Sequence, residues 1–302
     1  MIMAKTSDFL TRAYDPQARL QFVHVDVTDS ARALEQSHLC GPTASLALAE
    51  ALAGVALLIP ELTQPQEAVT LRMRLSGPVQ GLLVEATAEG DLRGYSNVKV
   101  MNELDVREEM ESAEAFGDHA DVQIIRSLPG KILAHANLET RPASVRLAVG
   151  KYYRHSLQRR AVVQIVAVAY GGALEMAHAV VALGMPDTDP AAFARVEALF
   201  NDDTVAQALE AHDSMAEWAE EMGFSQMSFE PPKPLKFACR CSRDRVAAML
   251  GALSVSELSA MAHAGKPTTV HCHMCGKGYE IGMEELTKLL ASRKNNPKGT
   301  KE

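Results

Sequence analysis

Two closely spaced pairs of cysteines near the C-terminus constrain the chain more than any other feature. The first pair is Cys239 and Cys241, the second is Cys272 and Cys275, and thirty residues lie between the pairs. Zinc takes four thiolates at about 2.3 Å in a tetrahedral arrangement, and short spacers let each pair supply two ligands without strain. The pattern therefore predicts one Zn²⁺ held by all four cysteines in a small folded module.

The cysteine cluster has two further interpretations on the residues alone. A closed zinc site that only folds a constitutive interaction module is the commonest fate of such a cluster. A thiol-disulfide oxidoreductase is suggested by Cys272-x-x-Cys275, but dithiols of that class begin a helix after a strand, whereas Gly276 follows this pair. The GxSxG, HExxH and GxxxxGK[ST] signatures of other enzymes do not occur in the sequence, so we do not expect an enzyme.

The two histidines beside the cluster and the fifth cysteine are not expected to bind the metal. His271 and His273 flank Cys272, but four thiolates already complete a tetrahedral shell, so neither histidine is assigned a ligand role. Cys40 lies in an apolar helical stretch far from the cluster in sequence. A lone cysteine there is typical of a small core residue.

Composition limits the class of protein. With 302 residues, 47% hydrophobic and 23% charged, the chain is long enough for a large core and a smaller module. Thirty basic against thirty-eight acidic side chains give a net charge of −8, which opposes binding to phosphate backbones. Nucleic acid is therefore not an expected partner.

The sequence predicts a cytoplasmic protein without a membrane partner. The N-terminal residues mix charges and lack the apolar segment of a secretory signal. The most apolar stretch, Thr43 to Ile59, is interrupted by Glu50, which favours a buried helix over a membrane span. Five cysteines without a signal indicate a reducing compartment, where clustered thiols bind metal more often than they form structural disulfides.

Hydrophobic periodicity predicts an α+β fold with largely antiparallel sheets and packed helices. Val23, Val25 and Val27 alternate with His24 and Asp26, the pattern of a half-buried strand. Turn signals at Gly77-Pro78 and Gly171-Gly172 separate further strand patterns and predict hairpins. The expected organisation is a core domain at 1–188, a helical linker at 189–231, a zinc module at 232–292 and a disordered tail at 293–302.

Several motifs accompany the cysteine pattern. In the C-terminal module the CxC pair is followed about thirty residues later by the CxxC pair and then by Tyr279. The core carries Leu75-Ser76-Gly77-Pro78, Arg93-Gly94-Tyr95, and Tyr153-x-x-Ser156-x-Gln158 with Gly171-Gly172. In this combination of motifs the chain resembles the redox-regulated 33-kDa heat-shock chaperone family.

The resemblance implies an ATP-independent holdase that is inactive when reduced and zinc-bound and active when oxidised. It also implies disulfides between Cys239 and Cys241 and between Cys272 and Cys275, zinc release, and dimerisation on activation. A structural zinc contributes about 10 to 16 kcal/mol to folding a small module. Disulfides closing loops of three or four residues supply only about 2 kcal/mol each, so loss of zinc is expected to unfold the module.

Unfolded client proteins are the partners that the resemblance implies. Once its docking partner unfolds, the helical linker is expected to expose apolar side chains to which clients bind. The candidate client-binding residues are Phe193, Leu199, Phe200, Leu209, Trp218 and Met222.

Overall fold

The computed structural model describes residues 8–107, 112–212, 214–224, 226–264 and 266–295. Within these ranges the chain forms two compact units, one up to Ala238 and the other from Cys239 onward. Each unit has an apolar core of its own.

The first unit combines two sheets with helices. Its strands are β1 (Phe9–Asp15), β2 (Leu20–Asp26), β3 (Ala68–Leu75), β4 (Gly81–Thr87), β5 (Asp91–Ser96), β6 (Ala120–Leu128), β7 (Lys131–Thr140), β8 (Ala161–Tyr170), β9 (Ala173–Gly184), β10 (Ser228–Phe229), β11 (Lys233–Pro234) and β12 (Lys236–Phe237). Its α-helices are α1 (Thr28–His38), α2 (Pro42–Ala56), α3 (Asn102–Asp105), α4 (Ser112–Phe116), α5 (Val145–Lys151), α6 (Pro190–Asn201), α7 (Thr204–Ala211) and α8 (Met215–Glu221).

The sheets confirm the expected α+β class. The first sheet has the order β10-β1-β2-β9-β8, with β11 also pairing with β1, and the second has the order β12-β5-β4-β3-β6-β7. All of these pairs are antiparallel except β12 with β5. Gly171 and Gly172 both have positive φ, +59° and +83°, as a two-residue hairpin turn between β8 and β9 requires.

Helix α2 is the centre of the first unit because it packs against strands of both sheets. The stretch Pro42–Glu61 is long and apolar enough to cross a membrane, but 89% of its apolar window is buried inside the protein. The expected buried helix at Thr43 to Ile59 is therefore found as the core helix.

Carboxylates distant in sequence cap the first two helices. Asp105 accepts a hydrogen bond from the N–H of Thr43 at 2.9 Å, at the start of α2. Asp8 accepts the N–H groups of Asp29 and Ser30 at 2.8 and 2.7 Å, at the start of α1. Each carboxylate satisfies N–H groups that a helix leaves unpaired in its first turn.

Helices α6 to α8 cover the face of the first sheet that points away from α2. Phe200, Leu209 and Trp218 pack there in one apolar cluster with Leu20 and Phe22 of β2. The strand β2 is therefore buried on both faces, and the expectation of a half-buried strand was wrong. The alternating pattern did not reveal this because the covering helices lie far away in sequence.

The two units separate C-terminal to the boundary expected at residue 231. Strands β10 and β11 pair with β1 of the first sheet, and β12 pairs with β5 of the second. The segment 228–237 is thus tied to the first unit by backbone hydrogen bonds.

The second unit contains three helices and one hairpin in its described residues. Ser242 and Ser254 cap the first two helices, each accepting a backbone N–H at 3.2 Å. The last helix continues to Asn295, so residues 293–295 of the tail that was expected to be disordered are helical, and the rest of that tail, 296–302, lies outside the described residues. The elements are α9 (Arg243–Gly251), α10 (Val255–His263), β13 (Thr268–His271), β14 (Gly278–Ile281) and α11 (Met283–Asn295).

Glu50 makes the stability of the first unit depend on pH. Burial within α2 raises the pKa of Glu50 to about 7 from 4.5, against the opposing effect of a hydrogen bond from Ser112. The folded chain therefore binds a proton more tightly than the unfolded chain, and this contribution to stability is lost as pH rises from 4.5 through 7. We expect Glu50→Gln to raise the free energy of unfolding relative to the parent by up to about 3 kcal/mol above pH 7, with a smaller gain towards pH 5.

Urea unfolding followed by circular dichroism at several pH values measures this difference. Glu210→Gln is the matched control, because Glu210 lies on the exposed side of α7. A gain from Glu50→Gln that does not change with pH would contradict the assignment.

Candidate metal centre

Four cysteine side chains converge at one end of the second unit. Cys239 and Cys241 precede α9 in the chain, and Cys272 and Cys275 lie in the turn between β13 and β14. All four Sγ atoms lie within 4.8 Å of one another. The hairpin and the start of α9 thus bring both pairs of the sequence pattern to one point.

The distances between the sulfur atoms suit a metal ion. Sγ of Cys239 lies 3.8 Å from Sγ of Cys272, and Sγ of Cys241 lies 3.4 Å from Sγ of Cys275. Four thiolates at 2.3 Å from a central zinc are about 3.8 Å apart along each edge of the tetrahedron. The sulfurs of a disulfide lie about 2.05 Å apart, so neither of these two pairs of sulfurs is joined by a disulfide. The donor set therefore fits a four-thiolate site in the reduced chain.

A tight turn shapes the second cysteine pair. The N–H of Gly276 donates to the carbonyl of Cys272 at 2.8 Å, and the N–H of Cys272 donates to the carbonyl of Lys277 at 2.9 Å. Gly276 has a φ of +69°, in the left-handed region that favours glycine. The glycine after the second pair therefore lets the backbone fold back around the sulfurs.

Tyr279 supports the site from β14. Its hydroxyl donates a hydrogen bond to Sγ of Cys241 at 3.0 Å. Burial opposes ionisation of Cys241, but hydrogen bonds from Tyr279 and the neighbouring thiols outweigh burial and lower the pKa of Cys241 to about 7. The same hydrogen bond raises the pKa of Tyr279 to about 12, because the phenol is a donor to sulfur.

The thiols of Cys272 and Cys275 resist ionisation. Burial raises the pKa of Cys272 and, more strongly, the pKa of Cys275. Four adjacent thiolates repel one another, and a bound cation supplies the charge that keeps them deprotonated. The chemistry of the site therefore favours a soft divalent metal such as zinc over four separate thiols.

The remaining thiol and imidazole candidates lie elsewhere. Nδ1 of His271 lies 3.3 Å from the carbonyl oxygen of Gly276. Among the described residues, neither His271 nor His273 belongs to the group of clustered ligand atoms. Cys40 is half-buried in the first unit against the apolar core, and burial raises the pKa of its thiol.

The candidate client-binding residues all lie in the apolar cluster between the first sheet and helices α6 to α8, which are the linker helices because they fall within the expected linker, 189–231. Four of them are buried and two are half-buried in the structure. The buried residues are Phe193, Phe200, Leu209 and Trp218, and the half-buried residues are Leu199 and Met222.

Sequence reasoning assigned no role to the hydroxyl of Tyr279. The signal available was the alternation in β14, where Tyr279 and Ile281 point inward and Glu280 points outward. That alternation places the phenol on the side of the strand that faces the unit's core, but it does not reveal the sulfur acceptor.

The fold and the site define a class of protein: an α+β protein in which a separate small unit carries four clustered cysteines that could hold a metal ion. The sequence profile of the Hsp33 protein family matches residues 8–282. Because this match covers most of the chain, the chain belongs to the Hsp33 protein family.

Known proteins agree with this assignment. A 33 kDa chaperonin of Thermus thermophilus is 28% identical, with 90% of this chain and 83% of the relative covered. A 33 kDa chaperonin of Symbiobacterium thermophilum is 27% identical, with 96% and 99% covered. The crystal structure of the 33 kDa chaperonin of Thermotoga maritima has a TM-score of 0.83 at 19% identity, covers 96% of this chain and 100% of its own, and shows the same fold. Membership of this family supports a chaperone function, and these relatives are named chaperonins rather than enzymes.

Removing the phenol oxygen of Tyr279 tests its contact with the site. We expect Tyr279→Phe to weaken zinc binding about 10- to 100-fold, because groups that hydrogen-bond to metal ligands contribute on this scale. Competition with a chromophoric chelator under reducing conditions measures the affinity. Tyr170→Phe is the control, since Tyr170 is 82% exposed in the first unit. An unchanged affinity in Tyr279→Phe would show that the hydrogen bond does not support the metal.

Proposed function

We propose that this chain is a redox-regulated, ATP-independent holdase that binds unfolding proteins under oxidative stress and prevents their aggregation. It is inactive when reduced and zinc-bound. The observation that carries the proposal is the group of four cysteine thiols, whose sulfur atoms all lie within 4.8 Å of one another, in a chain with 33 kDa chaperonins among its relatives.

The small core of the second unit supports the dependence of its folding on metal. The buried residues of this core are Val246, Leu250, Tyr279, Ile281 and Leu286. Units of about 60 residues bury too little surface to be more than marginally stable. Bound zinc adds about 10 to 16 kcal/mol to the folding of such a unit, so its cysteines would hold the unit together in the reduced state.

Oxidation would remove the metal ligands. One thiolate attacks a peroxide oxygen and becomes a sulfenic acid with release of hydroxide, and a second thiolate displaces hydroxide from that sulfur to form the disulfide. Two thiolates lose two electrons, and the peroxide is reduced to two hydroxide ions. Disulfides that close such short loops stabilise by only about 2 kcal/mol each, so the oxidised unit would unfold.

The disulfides of the proposal join Cys239 to Cys241 and Cys272 to Cys275. The short spacers support this pairing, because they keep the members of each pair close after the unit unfolds. In the folded unit the sulfurs of Cys239 and Cys272 also lie close, at 3.8 Å. Peptide mapping of the oxidised chain distinguishes the two pairings.

Clients would bind to apolar surface released by the linker, residues 189–231. The buried cluster around Phe200, Leu209 and Trp218 supports this location, because separating the helices from the first sheet exposes apolar side chains on both sides. A cytoplasmic location and a homodimer of the oxidised form complete the proposal. The location rests on the clustered thiols, which indicate a reducing compartment, and the homodimer rests on the family resemblance.

Oxidation is expected to switch on client binding. Hydrogen peroxide at raised temperature should release one equivalent of zinc per chain and suppress light scattering by a denaturing client, whereas the reduced chain should not suppress it. Cys40→Ser is the matched control and should behave like the parent, because Cys40 lies outside the cluster.

Equal suppression before and after oxidation would reject the switch. Stoichiometric zinc with no effect on the client would favour a constitutive interaction module. Catalytic turnover of a disulfide substrate would instead favour an oxidoreductase.

A substitution that creates a cavity beneath α7 tests whether the docked linker keeps the protein inactive. Leu209 is 1% exposed, and truncating such a residue costs about 2 to 5 kcal/mol. We expect Leu209→Ala to loosen the linker and to suppress client aggregation partly under reducing conditions with zinc still bound. Gln207→Ala, on the exposed side of the same helix, should stay inactive. If Leu209→Ala destabilises the chain but does not bind client, the client-binding surface does not lie beneath α7.

A further inference from the structure

A buried histidine without hydrogen bonds lies beneath the linker helices. His24 on β2 is 0% exposed, and neither Nδ1 nor Nε2 has a hydrogen-bond partner in the structure. Its ring lies edge-on to Phe9 at 5.4 Å and to Trp218 of α8 at 6.4 Å between ring centroids. A buried polar ring without hydrogen bonds lowers the stability of an apolar cluster, so His24 weakens the packing of α8 on the sheet.

Charged groups near His24 are already engaged. Nε2 of His178 on β9 lies 3.3 Å from Oδ2 of Asp26, and the rings of His24 and His178 are 5.4 Å apart. Burial lowers the pKa of His24 to about 3, with a further lowering by His178 and an opposing effect of Asp26. The one carboxylate that raises this pKa is therefore bonded to the neighbouring histidine.

Among the described side chains of the other neighbouring elements, no unpaired carboxylate is placed to stabilise a protonated His24. On β1, Arg12 pairs with Glu230 at 3.3 Å. On α8, Glu217 and Glu220 are exposed to solvent. On β8, Gln164 is buried and uncharged, with an Oε1 that has no hydrogen-bond partner.

Protonation of His24 therefore opposes docking of the linker. The docked state keeps the ring neutral, whereas a ring exposed to water takes a proton near pH 6.5. Because the pKa is lowered in the docked state, docking is fully favoured above about pH 6.5 and weakens as pH falls towards 3. Below about pH 6 the docking constant is expected to fall up to tenfold for each pH unit.

We infer that His24 is a proton-sensitive latch, through which mild acid releases α8 and its neighbouring helices from the first sheet while the four thiols remain reduced. This inference rests on the proposed holdase function and adds a second signal to its regulation. The linker would then respond to two inputs, loss of metal binding in the second unit and protonation beneath α8.

Trp218 reports the latch directly because it is the only tryptophan of the chain and is 0% exposed. We expect the acrylamide quenching constant of the zinc-loaded, reduced chain to rise several-fold between about pH 7.5 and about pH 5. His24→Phe, which retains an aromatic ring but cannot be protonated, should abolish this rise. His135→Gln, on the exposed surface of β7, should rise like the parent.

The latch is rejected if quenching in the parent stays constant over this range, or if His24→Phe shows the same rise. His24→Asn replaces His24→Phe if the larger ring prevents folding, since it also lacks a titratable ring.

A client aggregation assay, followed by light scattering, distinguishes a failure of the latch from a failure of the proposed function. Suppression by the reduced chain at about pH 5.5, lost in His24→Phe, supports both. If the oxidised chain suppresses aggregation at neutral pH while the reduced chain shows no opening with acid, the latch is wrong and the holdase stands. If acid raises the quenching of Trp218 but neither the reduced nor the oxidised chain suppresses aggregation, the proposed function is wrong and only the conformational latch remains.

Discussion

Burial of the first sheet on both faces is the constraint on which the rest of the first unit depends. One face, with Val23 and Val25, packs towards α2 and the second sheet in the main core. The other face carries Leu20 and Phe22, and α6 to α8 cover it. Apolar area removed from water is worth about 25 cal/mol per Å², so the linker helices owe their docking to the sheet rather than to intrinsic helix stability. Segments of this kind are stable only while docked.

The second unit has a different source of stability. Its apolar core is small, and the start of the unit, with Cys239 and Cys241, meets the turn between β13 and β14, with Cys272 and Cys275, at the four sulfur atoms. A site built from sulfur is also sensitive to oxidants, because the thiolate that binds metal is the form that reacts with peroxide. In the proposed function, the same four sulfur atoms would hold the metal in the reduced state and would be the atoms that an oxidant attacks.

Local patterns in the sequence predicted much of the fold and the composition of the site. The hairpin at Gly171-Gly172 followed from turn chemistry, and the clustering of the cysteines followed from ligand geometry. Burial of His24 could not be predicted in this way, because an alternating strand looks the same whether its polar face meets water or a distant helix. The bond from Tyr279 to Cys241 depends on the register of β13 and β14, which the pattern of a single strand does not contain.

The interface between the linker helices and the sheet is less stable than its apolar area alone suggests. The ring nitrogens of His24, Nε1 of Trp218 and Oε1 of Gln164 are all buried without hydrogen bonds. Each unsatisfied group costs about 1 to 3 kcal/mol, which offsets part of the gain from burying the neighbouring apolar side chains. A wholly apolar face would hold the helices more tightly, and their release would then need a larger input of free energy. Buried polar atoms at this interface therefore bring the docked and the separated states of these helices closer in free energy.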